Sequence, residues 1–234
     1  MDKVKVIEVR ESVFANNDRE ADRVREKLKS KKTCLINLMS SPGAGKTTTL
    51  RRLIGDLSTE ISIGVMEADI DSTVDAEAIA ETGAKAIQIH TGGMCHLDAG
   101  MTEQGLDEIG YEEFDLLVLE NVGNLVCPAE FDTGAAFNMS ILSVPEGHDK
   151  PLKYPLMYEV CKALVINKVD VLPYFDFDME KLMEYATMRN PSIKIFPISA
   201  KTGEGFEELE AWLKSEVAMW NSSKTSARGI SPAG

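Results

Sequence analysis

The chain is 234 residues long and carries 25 Lys and Arg against 38 Asp and Glu, a net charge of −13 with a pI near 4.8; that sign opposes a phosphate backbone and puts nucleic-acid binding aside. A content of 44% hydrophobic and 27% charged residues describes an ordinary globule rather than a disordered or fibrous chain. Asp2, Lys3, Lys5, Glu8, Arg10 and Glu11 interrupt any secretory leader, and no apolar run nears the roughly 18 to 20 residues that cross a bilayer, so a cytoplasmic protein with no membrane role is expected.

Residues 1–32 differ from the rest, with ten Lys or Arg against seven Asp or Glu. Between Asn16 and Lys32 the apolar positions Ala21, Val24 and Leu28 recur at helical spacing, which predicts a thin helix lying on the body. The body, residues 33–220, alternates short apolar runs with longer amphipathic stretches. Strands are predicted at 34–39, 61–66, 86–90, 116–120, 140–144, 163–167 and 193–198, and helices at 46–57, 74–82, 96–109, 154–161, 179–188 and 204–217. The strand runs are continuously apolar rather than alternating, as strands covered on both faces are. The expected fold is therefore α/β of the P-loop NTPase type, a mostly parallel central sheet with helices on both faces. Residues 221–234, rich in Ser, Gly, Pro and Ala, read as a flexible tail.

Directly after the first strand comes Ser40-Ser41-Pro42-Gly43-Ala44-Gly45-Lys46-Thr47-Thr48, and then a helix. Glycines let successive N–H groups turn toward a polyphosphate, Lys46 supplies a cation for the β and γ oxygens, and the Thr47 hydroxyl suits Mg²⁺. Gly43, Ala44, Gly45, Lys46, Thr47 and Thr48 are the predicted phosphate contacts. One departure stands out: Ser40 occupies the place where such loops usually begin with Gly.

The second strand ends in Glu67-Ala68-Asp69-Ile70-Asp71, and Asp75 follows. Asp69 is the favoured partner of Mg²⁺ or the attacking water; Asp71 and Asp75 also fit a helix N-terminal acid cluster. The fourth strand ends in Glu120-Asn121-Val122-Gly123, where Glu120 is long enough to reach a water on Mg²⁺ and Gly123 can sense the γ-phosphate. Lys46, Asp69, Glu120 and Gly123 thus form the expected catalytic set, with Thr47, Asp69 and Glu120 around Mg²⁺. No Gln follows Gly123 and no loop Arg resembles a finger, so intrinsic hydrolysis is expected to be slow. A second subunit is a natural way to complete such a site, and Lys150 and Lys153 are candidates for that contact.

Asn167-Lys168-Val169-Asp170 and Ser199-Ala200-Lys201 close the sixth and seventh strands. The Asp170 carboxylate can accept from N1–H and the exocyclic amine of guanine, Lys168 can lie along the purine, Asn167 can brace the loop, and the Ala200 backbone can reach the guanine oxygen. These residues assign GTP and GDP as the nucleotides.

Cys95-His96 follows the third strand, and Cys127 lies four residues beyond Gly123. Two thiols and an imidazole suit Ni²⁺ or Zn²⁺, although the same residues also fit cysteines buried as small hydrophobes. Cys34, in the first strand, and Cys161, on a short helix, read as packing.

Together, SSPGAGKT, EADI, TGGMCHLDAGM, LVLENVGNLVCPAEFD, EGHDKPLKYP, NKVD and SAKTGEG resemble the HypB family, GTPases that help insert nickel into NiFe-hydrogenases. The resemblance covers residues 15–217. It implies GTP hydrolysis and a nucleotide-dependent homodimer, with Ni²⁺ or Zn²⁺ held by Cys95, His96 and Cys127. It also implies work with a second nickel-binding accessory protein on the hydrogenase large subunit. Some members carry an N-terminal cysteine cluster or His-rich tract; residues 1–33 hold no Cys and no His, so the metal work is expected to fall to the body. Two other readings stay open, a urease-type accessory GTPase and a metal-binding adaptor for which GTP is only a structural ligand.

Overall fold

The seven apolar runs become seven strands of one sheet, ordered β3-β2-β4-β1-β5-β6-β7, and every neighbouring pair is parallel. The computed structural model describes residues 9–69 and 74–223, with the side chains of residues 9–13 and of Asp69 outside that description. In chain order the elements are α1 (Val9–Lys31), β1 (Cys34–Ser40), α2 (Lys46–Leu57), β2 (Ile63–Asp69), α3 (Val74–Ala80) and β3 (Lys85–His90). Next come α4 (Ala99–Ile109), β4 (Leu116–Glu120), α5 (Cys127–Glu130), β5 (Phe137–Ser143), α6 (Lys150–Lys153) and α7 (Pro155–Glu159). The chain continues through β6 (Cys161–Asn167), α8 (Met179–Arg189), β7 (Lys194–Pro197) and α9 (Phe206–Ser222).

Alternation along β1 shows why its run had to be continuous. Cys34, Ile36 and Leu38 enter a core with α2 and α9, whereas Leu35 and Met39 face the opposite layer, where α1 and α4 cover one part and α7 and α8 another. Both faces are dry, so both parities are apolar. Asn37 is the exception, and it is hydrogen-bonded on both sides: it donates to Asn138 Oδ1 and accepts from Asn121 Nδ2, each at 3.0 Å.

Ala21, Val24 and Leu28 of α1 are fully buried, and ion pairs Arg23–Glu103 and Lys27–Asp107 tie its flank to α4. Most strand and helix ends shift by a few residues, and four differences have a visible cause or a larger extent. Helix α1 starts at Val9 rather than near Asn16. Helix α4 starts at Ala99, not His96, because the Asp98 side chain accepts from Met101 N and caps it there, leaving His96 in a loop. The helix expected over 154–161 is broken, since Pro151 and Pro155 each open a short helix of their own and Cys161 starts β6. Helix α9 carries through Asn221 and Ser222, where a tail was expected, because Trp220 Nε1 donates to Thr33 O at 2.8 Å and draws the last turn onto the body. The remainder of the expected tail, residues 224–234, and residues 1–8 lie outside the described residues.

Candidate functional site

Chain connections place the chemistry at the C-terminal edge of the sheet. From β1 the chain passes two places out to β2, and β4 later returns between them, so three strand ends meet. In register, Glu120 of β4 lies beside Leu38 of β1 and beside Glu67 of β2. The loop 40–46 crosses directly above.

A cleft of about 550 Å³ opens there, floored by Gly43, Lys46 and Thr47 and walled by Glu67, Asp75 and Glu120. Lys46 Nζ donates to Ser40 Oγ at 3.1 Å and stands 3.6 Å from Glu120 Oε1. The serine that replaces the usual glycine thus earns its place by orienting the lysine. Gly45 has φ +97°, and a Cβ there would collide with Nδ2 of Asn167, so backbone and packing both demand glycine. Gly123 sits against Pro42, where a Cβ would come within 3.1 Å of Pro42 Cγ. Thr47 Oγ1 donates to Asp75 Oδ1 at 3.0 Å, and both residues line the cleft. Asp75, which the sequence left undecided, therefore reaches the phosphate loop; the side chain of Asp69 and all of Asp71 lie outside the described residues.

Glu67 and Glu120 are 2% and 3% exposed and hydrogen-bond to each other, while Glu67 Oε1 and Glu120 Oε2 have no hydrogen-bond partner. Burial, reinforced by the Glu120 charge, pushes the Glu67 carboxyl from 4.5 up to about 11. The folded protein then holds a proton that the unfolded chain releases above about 4.5, so stability falls as pH rises through that window. Glu67→Gln removes the titrating group and offers an amide N–H to Glu120 in place of the shared proton. The nucleotide-free variant is expected to gain about 2 kcal/mol at about pH 8 and little at about pH 5, read from urea unfolding at both. A loss at the higher pH would contradict this account.

Beside the cleft, and sharing Gly45, Thr48 and Lys168 with it, lies a second pocket of about 250 Å³ bounded by Asn167, Asp170, Ala200 and Lys201. Lys168 adopts the left-handed conformation, φ +64°, and its ammonium donates to Gly43 O at 2.7 Å, so its stem bridges the two pockets. Asn167 braces the loops from both ends of its amide: Nδ2 donates to Ala44 O at 3.0 Å, and Oδ1 accepts from Lys168 N and Ala200 N. The Ala200 N–H expected to face the base is thus directed at Asn167, at 3.1 Å. Ser199 Oγ donates to Asp170 Oδ1 at 2.7 Å and accepts from Thr202 N, which orients the carboxylate.

The third cluster grows from two loops. Gly92 and Gly93, at φ +63° and +90°, turn the chain after β3 so that Cys95 and His96 emerge before the capped start of α4. Asn124 Oδ1 accepts from Val126 N, and Pro128 sits at the start of α5, bringing Cys127 round to face them. Among the described residues these three form the group whose ligand atoms all lie within 4.8 Å of one another. Burial holds the His96 imidazole below its ordinary pKa, favouring the neutral form that ligates metals, and the neighbouring Cys95 raises the Cys127 thiol, as two thiols sharing a proton do. Cys34 and Cys161 are pushed up to about 12 by burial and pack in the core. Lys150 lies over the Tyr154 ring and Lys153 pairs with Asp149 at 2.6 Å, so both candidate intersubunit lysines have partners within their own loop.

The family model of the CobW/HypB/UreG nucleotide-binding domain matches residues 34–197. A hydrogenase maturation factor HypB of Rhizobium leguminosarum bv. viciae is 43% identical over 218 residues, spanning 93% of this chain and 73% of that protein. The chain belongs to the HypB family. The crystal structure of HypB from Helicobacter pylori in complex with nickel superposes with a TM-score of 0.84 at 37% identity, covering 89% of this chain and 98% of that one. A hydrogenase/urease maturation factor HypB of Helicobacter hepaticus is 38% identical over 219 residues, covering 92% of this chain and 90% of that protein. Membership confirms the P-loop α/β fold and a nucleotide-binding function for residues 34–197, the span that contains both the phosphate cleft and the Cys-His-Cys cluster.

Proposed function

We propose that this chain hydrolyses GTP and uses the nucleotide state to govern a nickel or zinc ion carried on Cys95, His96 and Cys127, for delivery during NiFe-hydrogenase maturation. One observation carries the reading: three soft-metal ligand atoms converge within 4.8 Å, and one of them, Cys127, lies on the loop that leaves the nucleotide cleft at Gly123. Cys127 lies four positions beyond Gly123, which limits their separation to about 14 Å. A γ-phosphate bound at Gly123 therefore pulls on the same short segment that holds a thiolate.

In this reading the N–H groups of residues 43–48 and the Lys46 ammonium bind the β and γ oxygens, and Asp170 selects guanine. Thr47 and Glu120 are the residues for Mg²⁺, and the unpartnered buried oxygens of Glu67 and Glu120 fit a cation; when bound, it neutralises charge on the phosphate oxygens. Gln and Arg do not line the cleft among the described residues, consistent with slow turnover that a homodimeric partner accelerates. The partners are the second nickel-binding accessory protein and the hydrogenase large subunit, in the cytoplasm. The name of the Helicobacter hepaticus relative, hydrogenase/urease maturation factor, supports urease as a second destination.

The test is a single turnover of GTP by protein loaded with Ni²⁺, with a chromophoric chelator reporting free metal. Hydrolysis is expected to release the ion, and Cys95→Ala or Cys127→Ala to abolish metal loading while GTP affinity holds. Metal release that ignores hydrolysis identifies the adaptor instead. Undiminished loading in both variants refutes the site.

A further inference from the structure

Two loops supply the three candidate ligands, and the structure shows what holds those loops together. Neither loop belongs to a long element at its ligand: His96 precedes α4, and Cys127 opens a single turn of helix. Helix α1 touches both. Asn17, 6% exposed, accepts from Ala99 N at 2.9 Å through Oδ1, three residues past His96, and donates from Nδ2 to Asp132 O at 2.9 Å, five residues past Cys127. One amide thus uses both its ends to bridge the segments. Farther along α1, Arg25 pairs with Asp132 and donates through Nε to Ala135 O at 3.1 Å. Val24 lies so close to Gly134 that a Cβ there would collide with it.

The ring contacts repeat the pattern. His96 stacks on Phe131 with centroids 3.8 Å apart and planes 15° from parallel, and Phe131 packs in turn on Phe14 of α1 at 4.9 Å. A flat stack fixes the plane of an imidazole, and with it the direction of its ligating lone pair. Supports of this kind orient a ligand, and their loss typically costs about 10–100-fold in metal affinity.

We propose that α1 is the clamp of the metal site. Asn17 and Phe131 are positioning residues: they hold the loop of Cys95 and His96 and the loop of Cys127 in the register that brings sulfur, nitrogen and sulfur together, while Phe14 backs the ring. This rests on the reading of Cys95, His96 and Cys127 as metal ligands, and it assigns α1 a role that the ligand set alone does not contain.

Co²⁺ titration of the full chain tests it, because thiolate-to-Co²⁺ charge-transfer and ligand-field bands report coordination directly. Asn17→Ala and Phe131→Leu are expected to weaken Co²⁺ binding by about tenfold or more and to shift those bands, with guanine-nucleotide affinity unchanged. Phe131→Tyr keeps the stack and is expected to restore both. Unaltered affinity and spectra in Asn17→Ala and Phe131→Leu, with binding lost in Cys95→Ala, would overturn the clamp and leave the ligand assignment standing. Unaltered Co²⁺ binding in Cys95→Ala would instead remove the assignment on which the clamp rests. If Asn17→Ala loses nucleotide binding as well, through misfolding, the comparison of Phe131→Leu with Phe131→Tyr decides: a spectrum that differs between them supports the clamp, and identical spectra overturn it.

Discussion

Asp170→Asn is expected to lower affinity for GTP and GDP by about two to four orders of magnitude and to transfer preference to xanthine nucleotides. On the proposed reading the carboxylate accepts from two guanine N–H groups, and each charge-assisted bond contributes about 1.5–3 kcal/mol, where about 1.4 kcal/mol is a decade of affinity. The local network fixes which way the new amide turns. The Ser199 hydroxyl accepts from Thr202 N, so its proton is committed to Asp170 Oδ1. The amide of the variant must present its oxygen to that proton, which aims its NH₂ at the base. Guanine meets this with donors and is rejected; xanthine carries a carbonyl where guanine has its amine, and is accepted. Competition of guanine and xanthine diphosphates against a fluorescent nucleotide measures the exchange. A variant that kept its preference for guanine would eliminate Asp170 as the base reader.

The legibility of this molecule from its sequence was uneven for physical reasons. All seven strands were readable: inner strands such as β1 and β4 are buried on both faces and so are continuously apolar, and the partly buried edge strands β3 and β7 still keep short apolar runs. The phosphate loop was readable because backbone that curls around phosphate has few sequence solutions, and Gly45 shows why: its φ and the approach of Asn167 both exclude a side chain. The triad of Cys95, His96 and Cys127 was readable as types in suggestive places, but its convergence was not, since it depends on Gly92 and Gly93, Asn124 and Pro128 turning two distant loops toward each other. Glu67 escaped selection among five consecutive positions rich in acids. Its signal was strand parity, since a residue two positions from the end of β2 comes into register with Glu120 once β2 and β4 are known to be neighbours. Asn17 left no signal. A polar residue on a helix of many polar residues becomes distinctive only when its two hydrogen-bonded partners, 82 and 115 residues away, are seen.

The buried acidic pair also shows where stability has yielded to function. Two carboxyls side by side at strand ends, each with an oxygen left without a partner, are a poor way to build a core. They make sense as a receptor for positive charge, and Lys46 is the nearest cation, with its side chain only 11% exposed.

Lys46→Ala should therefore separate four consequences. In the chemical step, the variant lacks the cation facing the transferred phosphoryl group, and loss of one preorganised electrostatic partner costs about 10²–10³ in rate; single-turnover hydrolysis is expected to slow by at least that factor. Binding weakens less, because the N–H groups of the phosphate loop and the base pocket remain. In the nucleotide-free fold, Glu120 loses its counterion and Ser40 Oγ its donor, so the unfolding midpoint is expected to fall, and Glu67→Gln in the same chain to recover part of it. The ion provides the fourth readout. Lys46 touches none of Cys95, His96 or Cys127, so metal loading should stay at the wild-type level while GTP-driven release becomes as slow as the impaired hydrolysis. Release that stayed fast in this variant would mean that nucleotide binding alone moves the Gly123–Cys127 segment and that cleavage of the γ-phosphate is not the trigger.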